Sequence, residues 1–131
     1  MDRVFLEKFI PYGEMAVIRD NPEAFRDELE RVECQLRSLP TPEAIYDKDL
    51  DEIRIFAHYF GGASDWWVYA LEKDCEYAEA FVCLNRDGWN AEVGPIYIPE
   101  LLPVNLINLD LHWNDETTLK QVMDRVKRQA E

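Results

Sequence analysis

A chain of 131 residues with 27 acidic and 14 basic side chains carries a formal charge of −13, which opposes direct binding to nucleic acid or to an anionic membrane. Its 47% apolar and 12% aromatic content is too high for a disordered acidic segment and sufficient for one domain with a buried core. No run of about 18 apolar residues occurs, so no membrane span is expected. The opening residues, MDRVFLEKFIPYGE, put acids inside any apolar run and do not read as a secretory signal. Cys34, Cys75 and Cys83 form no Cys-x-x-Cys pair. An odd count without a signal peptide points to free thiols in a reducing cytoplasm.

The negative charge is spread through the body of the chain. Residues 20–52 hold eleven acids and four bases, and residues 53–118 hold eleven acids and three bases. Residues 119–131 invert the balance, with two acids and four bases. A field of this kind attracts a basic protein surface, and it also confers solubility without any partner.

In chain order, residues 1–19 mix apolar pairs with charges, and Pro11-Tyr12-Gly13 is expected to break any element there, leaving an ordered arm. Asn21-Pro22 then opens a helix, with Asn21 as cap and Pro22 at the first helical position. Phe25, Leu29, Val32 and Leu36 recur on one face, and Leu39-Pro40-Thr41-Pro42 ends it. Residues 43–52 hold five carboxylates. Asp47, Asp49 and Asp51 alternate as in a calcium loop, but the glycine and distal glutamate of an EF-hand are missing, so no metal is expected. A solvated acidic connection or part of a partner-facing patch fits better.

Ile53 to Phe60 alternates like a strand, with Phe56, His58 and Phe60 on one face and Ile55, Ala57 and Tyr59 on the other. After the turn Gly61-Gly62-Ala63-Ser64, Asp65 to Leu71 is a second strand, apolar on both faces. Ala78 to Leu84 is a third. Ala91 to Ile98 is a fourth, and its proline implies an edge position or a bulge. Pro99 to Pro103 reads as one helical turn. Ile107 to Trp113 alternates as a half-buried fifth strand, and Leu119, Val122, Met123 and Val126 mark a terminal amphipathic helix starting near residues 115–118.

Short turns between the strands favour hairpins over parallel crossovers. The expected class is therefore α+β: a twisted antiparallel sheet of four or five strands with an N-terminal and a C-terminal helix packed on it, both on one face. The whole chain reads as one domain, with residues 1–52 an acidic helical extension and residues 53–131 the sheet and final helix. The second face would be covered by the N-terminal arm or form a homodimer interface.

Few residues suggest chemistry. His58, His112, Asp65 and Asp110 are the candidates, and Asp65, Asp110 and His112 could share a pocket. On a continuous strand Asp110 and His112 would face the same way, and a carboxylate can orient an imidazole. A hydrolase also needs an activated nucleophile, and Ser64 lies in a glycine loop without a nucleophile elbow. No zinc spacing, phosphate loop or cofactor motif is present. Trp66, Trp67, Tyr69, Trp89, Tyr97 and Trp113 could stack bases, but base-stacking platforms lie in basic grooves. On this acidic chain they read as core or interface residues. Cys83 alternates inside a strand, and acids surround Cys75, which disfavours a reactive thiolate.

From His58 to Met123 the chain carries Tyr59-Phe60, a glycine loop, Asp65-Trp66-Trp67, Ala80-Phe81-Val82, Ala91-Glu92-Val93-Gly94, Ile96-x-Ile98-x-Glu100-Leu101 and Asp110-Leu111-His112-Trp113. This order resembles an uncharacterised domain family of plasmids, integrative elements and phages. Val93-Gly94-Pro95-Ile96-Tyr97 departs from the Leu-Gly-Tyr of that family. The resemblance implies no catalytic residue, but it does imply a mobile-element setting, in which anti-restriction and other counter-defence genes travel. With the charge, it leads to the expectation of a non-enzymatic protein that inhibits a nucleic-acid-binding host defence complex, anti-CRISPR or anti-restriction, by nucleic-acid mimicry. Glu43, Asp47, Asp49, Asp51, Glu52, Glu72, Asp74, Glu76 and Glu79 would stand in for phosphates. The competing expectations are a small enzyme or accessory domain working through an Asp/His pocket, and a dimeric structural protein whose acidity is incidental.

Overall fold

The computed structural model describes residues 1–131. Two short helices, α1 (Arg3–Leu6) and α2 (Tyr12–Asp20), open the chain. The expected break at Pro11-Tyr12-Gly13 is instead a helix start. Pro11 is the extended cap residue, its carbonyl accepts from Met15 N–H at 2.9 Å, and Tyr12 N–H donates to Leu102 O at 2.8 Å. A proline just before a helix lacks only a donor that the first turn leaves unpaired anyway.

A 3-10 turn at Pro22–Phe25 leads into α3 (Arg26–Arg37). Asn21 makes no side-chain cap bond, so the α-helix begins later than its capping signal indicates. Leu29, Val32 and Leu36 are buried as their spacing requires. One further turn, α4 (Pro42–Ile45), precedes the sheet.

The sheet comprises β1 (Ala57–Gly61), β2 (Ser64–Leu71), β3 (Tyr77–Cys83), β4 (Glu92–Tyr97) and β5 (Asn108–Leu109), in the order β4-β3-β2-β1-β5 and antiparallel throughout. The expected α+β class therefore holds, and Pro95 lies on the edge strand β4, where its missing N–H costs no ladder bond. The turn α5 (Ile98–Leu101) and the helix α6 (Leu119–Ala130) complete the chain. Thr118 and Gln121 form a reciprocal capping box at the start of α6, which satisfies two otherwise unpaired amides. No helix is long and apolar enough to cross a membrane.

Two apolar clusters lie on opposite faces of the sheet. Ala57, Tyr59, Val68 and Ala80 join Leu6, Phe9, Ile10, Ile18, Leu29, Val32 and Leu36 on the first face. Trp67, Tyr69, Phe81 and Cys83 join Ile45, Ile53, Leu119, Val122 and Val126 on the second. The expectation of both helices on one face is thus corrected: α3 covers one and α6 the other. β2 is the reason. Trp67 through Leu71 are all buried, so both sides must be shielded from water, and each Leu, Ile or Val side chain buried adds ~1.5–3 kcal/mol. A bulge between Val68 and Ala70 turns Tyr69 and Ala70 toward the same cluster. With the chain's own helices on both faces, neither is left free as the homodimer interface considered above. The N-terminal residues are core rather than appendage: Tyr59, fully buried, donates its hydroxyl to Phe9 O at 2.5 Å.

Two expected strands are shorter than their patterns. Residues 53–55 leave the sheet to meet residues 117–118, with Ile55 N–H on Thr117 O at 2.8 Å and an Arg54–Thr118 bridge. Ile55 therefore packs on the second face, apart from Ala57 and Tyr59. After Leu109 the chain turns, because the Asp110 carboxylate accepts His112 N–H at 2.9 Å. Trp113 then crosses to the second cluster and donates Nε1–H to Ile55 O at 2.8 Å. Arg31 donates to the carbonyls of Leu111 and Trp113, and Gln35 Nε2 donates to Trp113 O at 2.9 Å, which pins this turn to α3.

Candidate functional site

The nine candidate acids fall into separate groups. Glu43 on α4 and Glu72, Asp74 and Glu79 around the β2–β3 hairpin line one groove of about 560 Å³ together with Lys73 and Tyr77. The hairpin is held by local bonds. Asp74 Oδ1 accepts from the amides of Glu76 and Tyr77 at 2.9 and 3.1 Å, and Cys75 takes a left-handed conformation at φ 61°. Leu71 N–H on Pro40 O at 2.9 Å ties the hairpin to the segment entering α4. Tyr77 and Tyr97 pack with ring centroids 4.8 Å apart beside the groove. Glu76, in the same hairpin, pushes the Tyr97 hydroxyl pKa up by its charge.

Asp47, Asp49, Asp51 and Glu52 lie in the exposed loop after α4. There, one carboxylate oxygen from each of Asp49, Asp51 and Glu52 falls within 4.8 Å of the others. None of the nine acids forms an ion pair within the chain. Glu7, Glu23, Glu33, Asp2, Asp115 and Asp124, by contrast, each hold a lysine or arginine. Exposed acids elsewhere, among them Asp20, Asp27, Glu30, Asp87 and Glu92, form no ion pair either, so the uncompensated charge is spread over the surface and includes α4, its following loop and the β2–β3 hairpin.

The second candidate constellation assembles differently from its sequence pattern. His112 is exposed and has left the strand, so it shares no face with Asp110. His58 takes the central place. Its Nε2–H donates to Asp65 Oδ1 at 2.7 Å, and its Nδ1 lies 3.5 Å from Asp110 Oδ2. The ring stacks on Trp67 at 5.3 Å and 5° between planes, with Trp113 tilted against it at 5.1 Å. Register explains the pairing. The two-residue turn Gly62-Ala63 aligns His58 with Trp67, which brings Asp65, two residues earlier on the same face, diagonally beside the imidazole.

No nucleophile completes this arrangement. Ser64 Oγ is occupied by Asn85 N–H at 2.9 Å, and burial, ahead of the charges of Asp65 and Asp87, raises the pKa of the neighbouring Cys83 thiol. Asp65 lines a cavity of about 340 Å³ with Cys83, Arg86 and Gln129, and neither Asp110 nor His112 reaches it. The triad holds β1, β2 and the turn after β5 together. His58→Phe keeps the ring stacking and removes both polar contacts, and we expect it to cost about 2 kcal/mol. A urea midpoint equal to that of the unmodified chain would rule this role out.

Glu14 had no distinguishing sequence signal. Its Oε1 accepts Leu109 N–H at 2.7 Å, so a carboxylate from α2 holds the short strand β5. Burial pushes its pKa from 4.5 up to about 7; the Leu109 amide opposes the shift and the nearby Asp110 charge adds to it. Of the six aromatics considered for base stacking, Trp67 and Tyr69 are buried and Trp66, Tyr97 and Trp113 partly so, while Trp89 is exposed. These features define an acidic, open-sheet α+β protein with a carboxylate groove. No protein-family model, curated protein or solved structure matched the chain.

Proposed function

We propose that the protein is a non-enzymatic, acidic interaction protein that occupies the basic surface of a nucleic-acid-binding complex. The observation that carries this reading is the set of nine carboxylates that form no ion pair within the chain, four of them gathered in one groove. A long-range negative field with unpaired, solvated carboxylates favours rapid association with a cationic surface. The groove floor is held by backbone hydrogen bonds, so little ordering entropy opposes docking. With the family resemblance noted above, the finer reading is a mobile-element inhibitor of a host defence complex, of the anti-CRISPR or anti-restriction kind, in which carboxylates replace phosphates. The His58 constellation supports an enzyme reading less well, because no nucleophile adjoins it.

The test is capture from a bacterial host lysate at low and high salt, using the unmodified chain and the combined variant Glu43→Gln, Glu72→Gln, Asp74→Asn, Glu79→Gln. Asn at 74 retains the oxygen that accepts the hairpin amides. The expected result is a nucleic-acid-binding partner that is displaced by duplex DNA or by RNA and released as salt rises. Affinity should fall about a hundredfold in the variant, at ~0.7 kcal/mol for each exposed charge. Salt-independent capture, or a partner with no nucleic-acid site, would overturn the proposal.

A further inference from the structure

The C-terminal helix departs from the rest of the chain in charge, and it walls a cleft of about 350 Å³. Opposite α6 stands the 3-10 turn Gly88–Asn90. Gly88 sets their spacing: a Cβ there would lie 2.9 Å from Ala130 Cβ and 3.1 Å from Val126 O. Phe81, Met123 and Val126 line the cleft, and Leu50 and Trp89 flank it. Trp89 is 73% exposed and Leu50 45%, which is costly for such large apolar groups unless something covers them.

Lys120 and Lys127 line the same cleft along with Asp124. Lys120 Nζ is held by Asp124 at 2.8 Å, whereas Lys127 forms no ion pair. Within a chain of net charge −13, this is an apolar recess with an unpaired cation at its wall. Its volume suits a small molecule. A stable dimer would need about 800 Å² from each partner, far more than this recess offers.

We propose that the cleft binds a small amphipathic carboxylate, its apolar body against Trp89, Phe81 and Met123 and its carboxylate on Lys127 Nζ. The groove of Glu43, Glu72, Asp74 and Glu79 shares no residue with this cleft, so the groove variant tests the two sites separately.

Calorimetric titration of the full chain with 4-phenylbutyrate, 4-phenylbutanol and 4-phenylbutylamine tests the assignment, with tryptophan emission followed in parallel. The carboxylate should bind saturably and change tryptophan emission, the alcohol about tenfold more weakly and the amine weakest of all. Lys127→Glu, an exposed position, should weaken the carboxylate about tenfold, the equivalent of one charge contact, while the combined groove variant should bind it unchanged. Trp89→Ala should remove the emission change and most of the affinity. Equal binding of the three compounds, no binding of the carboxylate, or an unchanged affinity in Lys127→Glu would overturn the proposal. So would a concentration-dependent dimer dissolved by Trp89→Ala, which would assign the face to a second copy.

Discussion

Gly61→Ala is expected to destabilise the protein by ~3 kcal/mol or more. A Cβ at this position would sit 1.9 Å from Leu106 O, 2.7 Å from Leu106 C and 2.9 Å from Ile107 Cα. All three are backbone atoms, so no side-chain rotation relieves the clash. Relief requires moving residues 106 and 107, which feed directly into β5. That movement strains the Glu14 bond to Leu109 N–H, the β1–β5 pairing and the approach of Asp110 to His58. The unfolding midpoint in urea should fall sharply, and the Leu109 amide should lose protection from hydrogen exchange. Gly94→Ala is the control, since nothing lies within 4 Å of its Cβ position, and it should change stability by no more than about 0.5 kcal/mol. Equal midpoints for the two variants would refute the steric account.

Glu14→Gln should stabilise the protein by about 2 kcal/mol near pH 8 and by little near pH 4.5, after allowance for partial solvent screening of the carboxyl. The folded pKa of about 7 lies above the ordinary 4.5. Below pH 4.5 both folded and unfolded chains hold the proton. Between 4.5 and 7 the folded chain keeps a proton that the unfolded chain has released, so stability falls as pH rises. Above about 7 the loss is complete, because the folded state must then hold a desolvated carboxylate beside Asp110. Glutamine retains an oxygen for Leu109 N–H and carries no charge, so it removes this pH dependence alone. Urea unfolding of both proteins across this range measures the difference directly. A gap that stays constant from pH 4.5 to 8 would show that Glu14 is not the titrating group.

Much of the architecture is legible in residue order because it follows from local physics. β2 is apolar on both faces over Trp67 to Leu71, and Pro95 marks an edge. Leu119, Val122 and Val126 return at helical spacing. Period-two patterning reads less well after Leu109. Ile107, Leu109 and Leu111 are all buried on the first face, yet only Asn108 and Leu109 pair with a neighbour. Alternation reports which side chains are buried, not which backbone groups are bonded, and the Asp110 turn decides the latter.

The site divides along the same line. The acids of residues 43–52 and 72–79 were visible as a charge excess, since charge is additive and independent of geometry. The gathering of Glu43, Glu72, Asp74 and Glu79 into one groove depends on α4 packing beside the β2–β3 hairpin. Hairpin register by itself aligns His58 with Trp67 and sets it diagonally beside Asp65. His112 lies beside Asp110 only on a strand continued through residue 113, and the chain turns at Asp110. Glu14 carried no signal at all, because its burial is set by the contact of α2 with β5, two elements far apart in the chain.

Residue order alone therefore determines an acidic, antiparallel α+β chain with two amphipathic helices. Tertiary structure decides that α3 and α6 take opposite faces, that His58 lies between two carboxylates, and that four unpaired acids share one groove. Helical periodicity and net charge are properties of neighbours along the chain. The face a helix covers and the partner a carboxylate meets are set by competition among distant surfaces for burial, and no short stretch of sequence records that outcome.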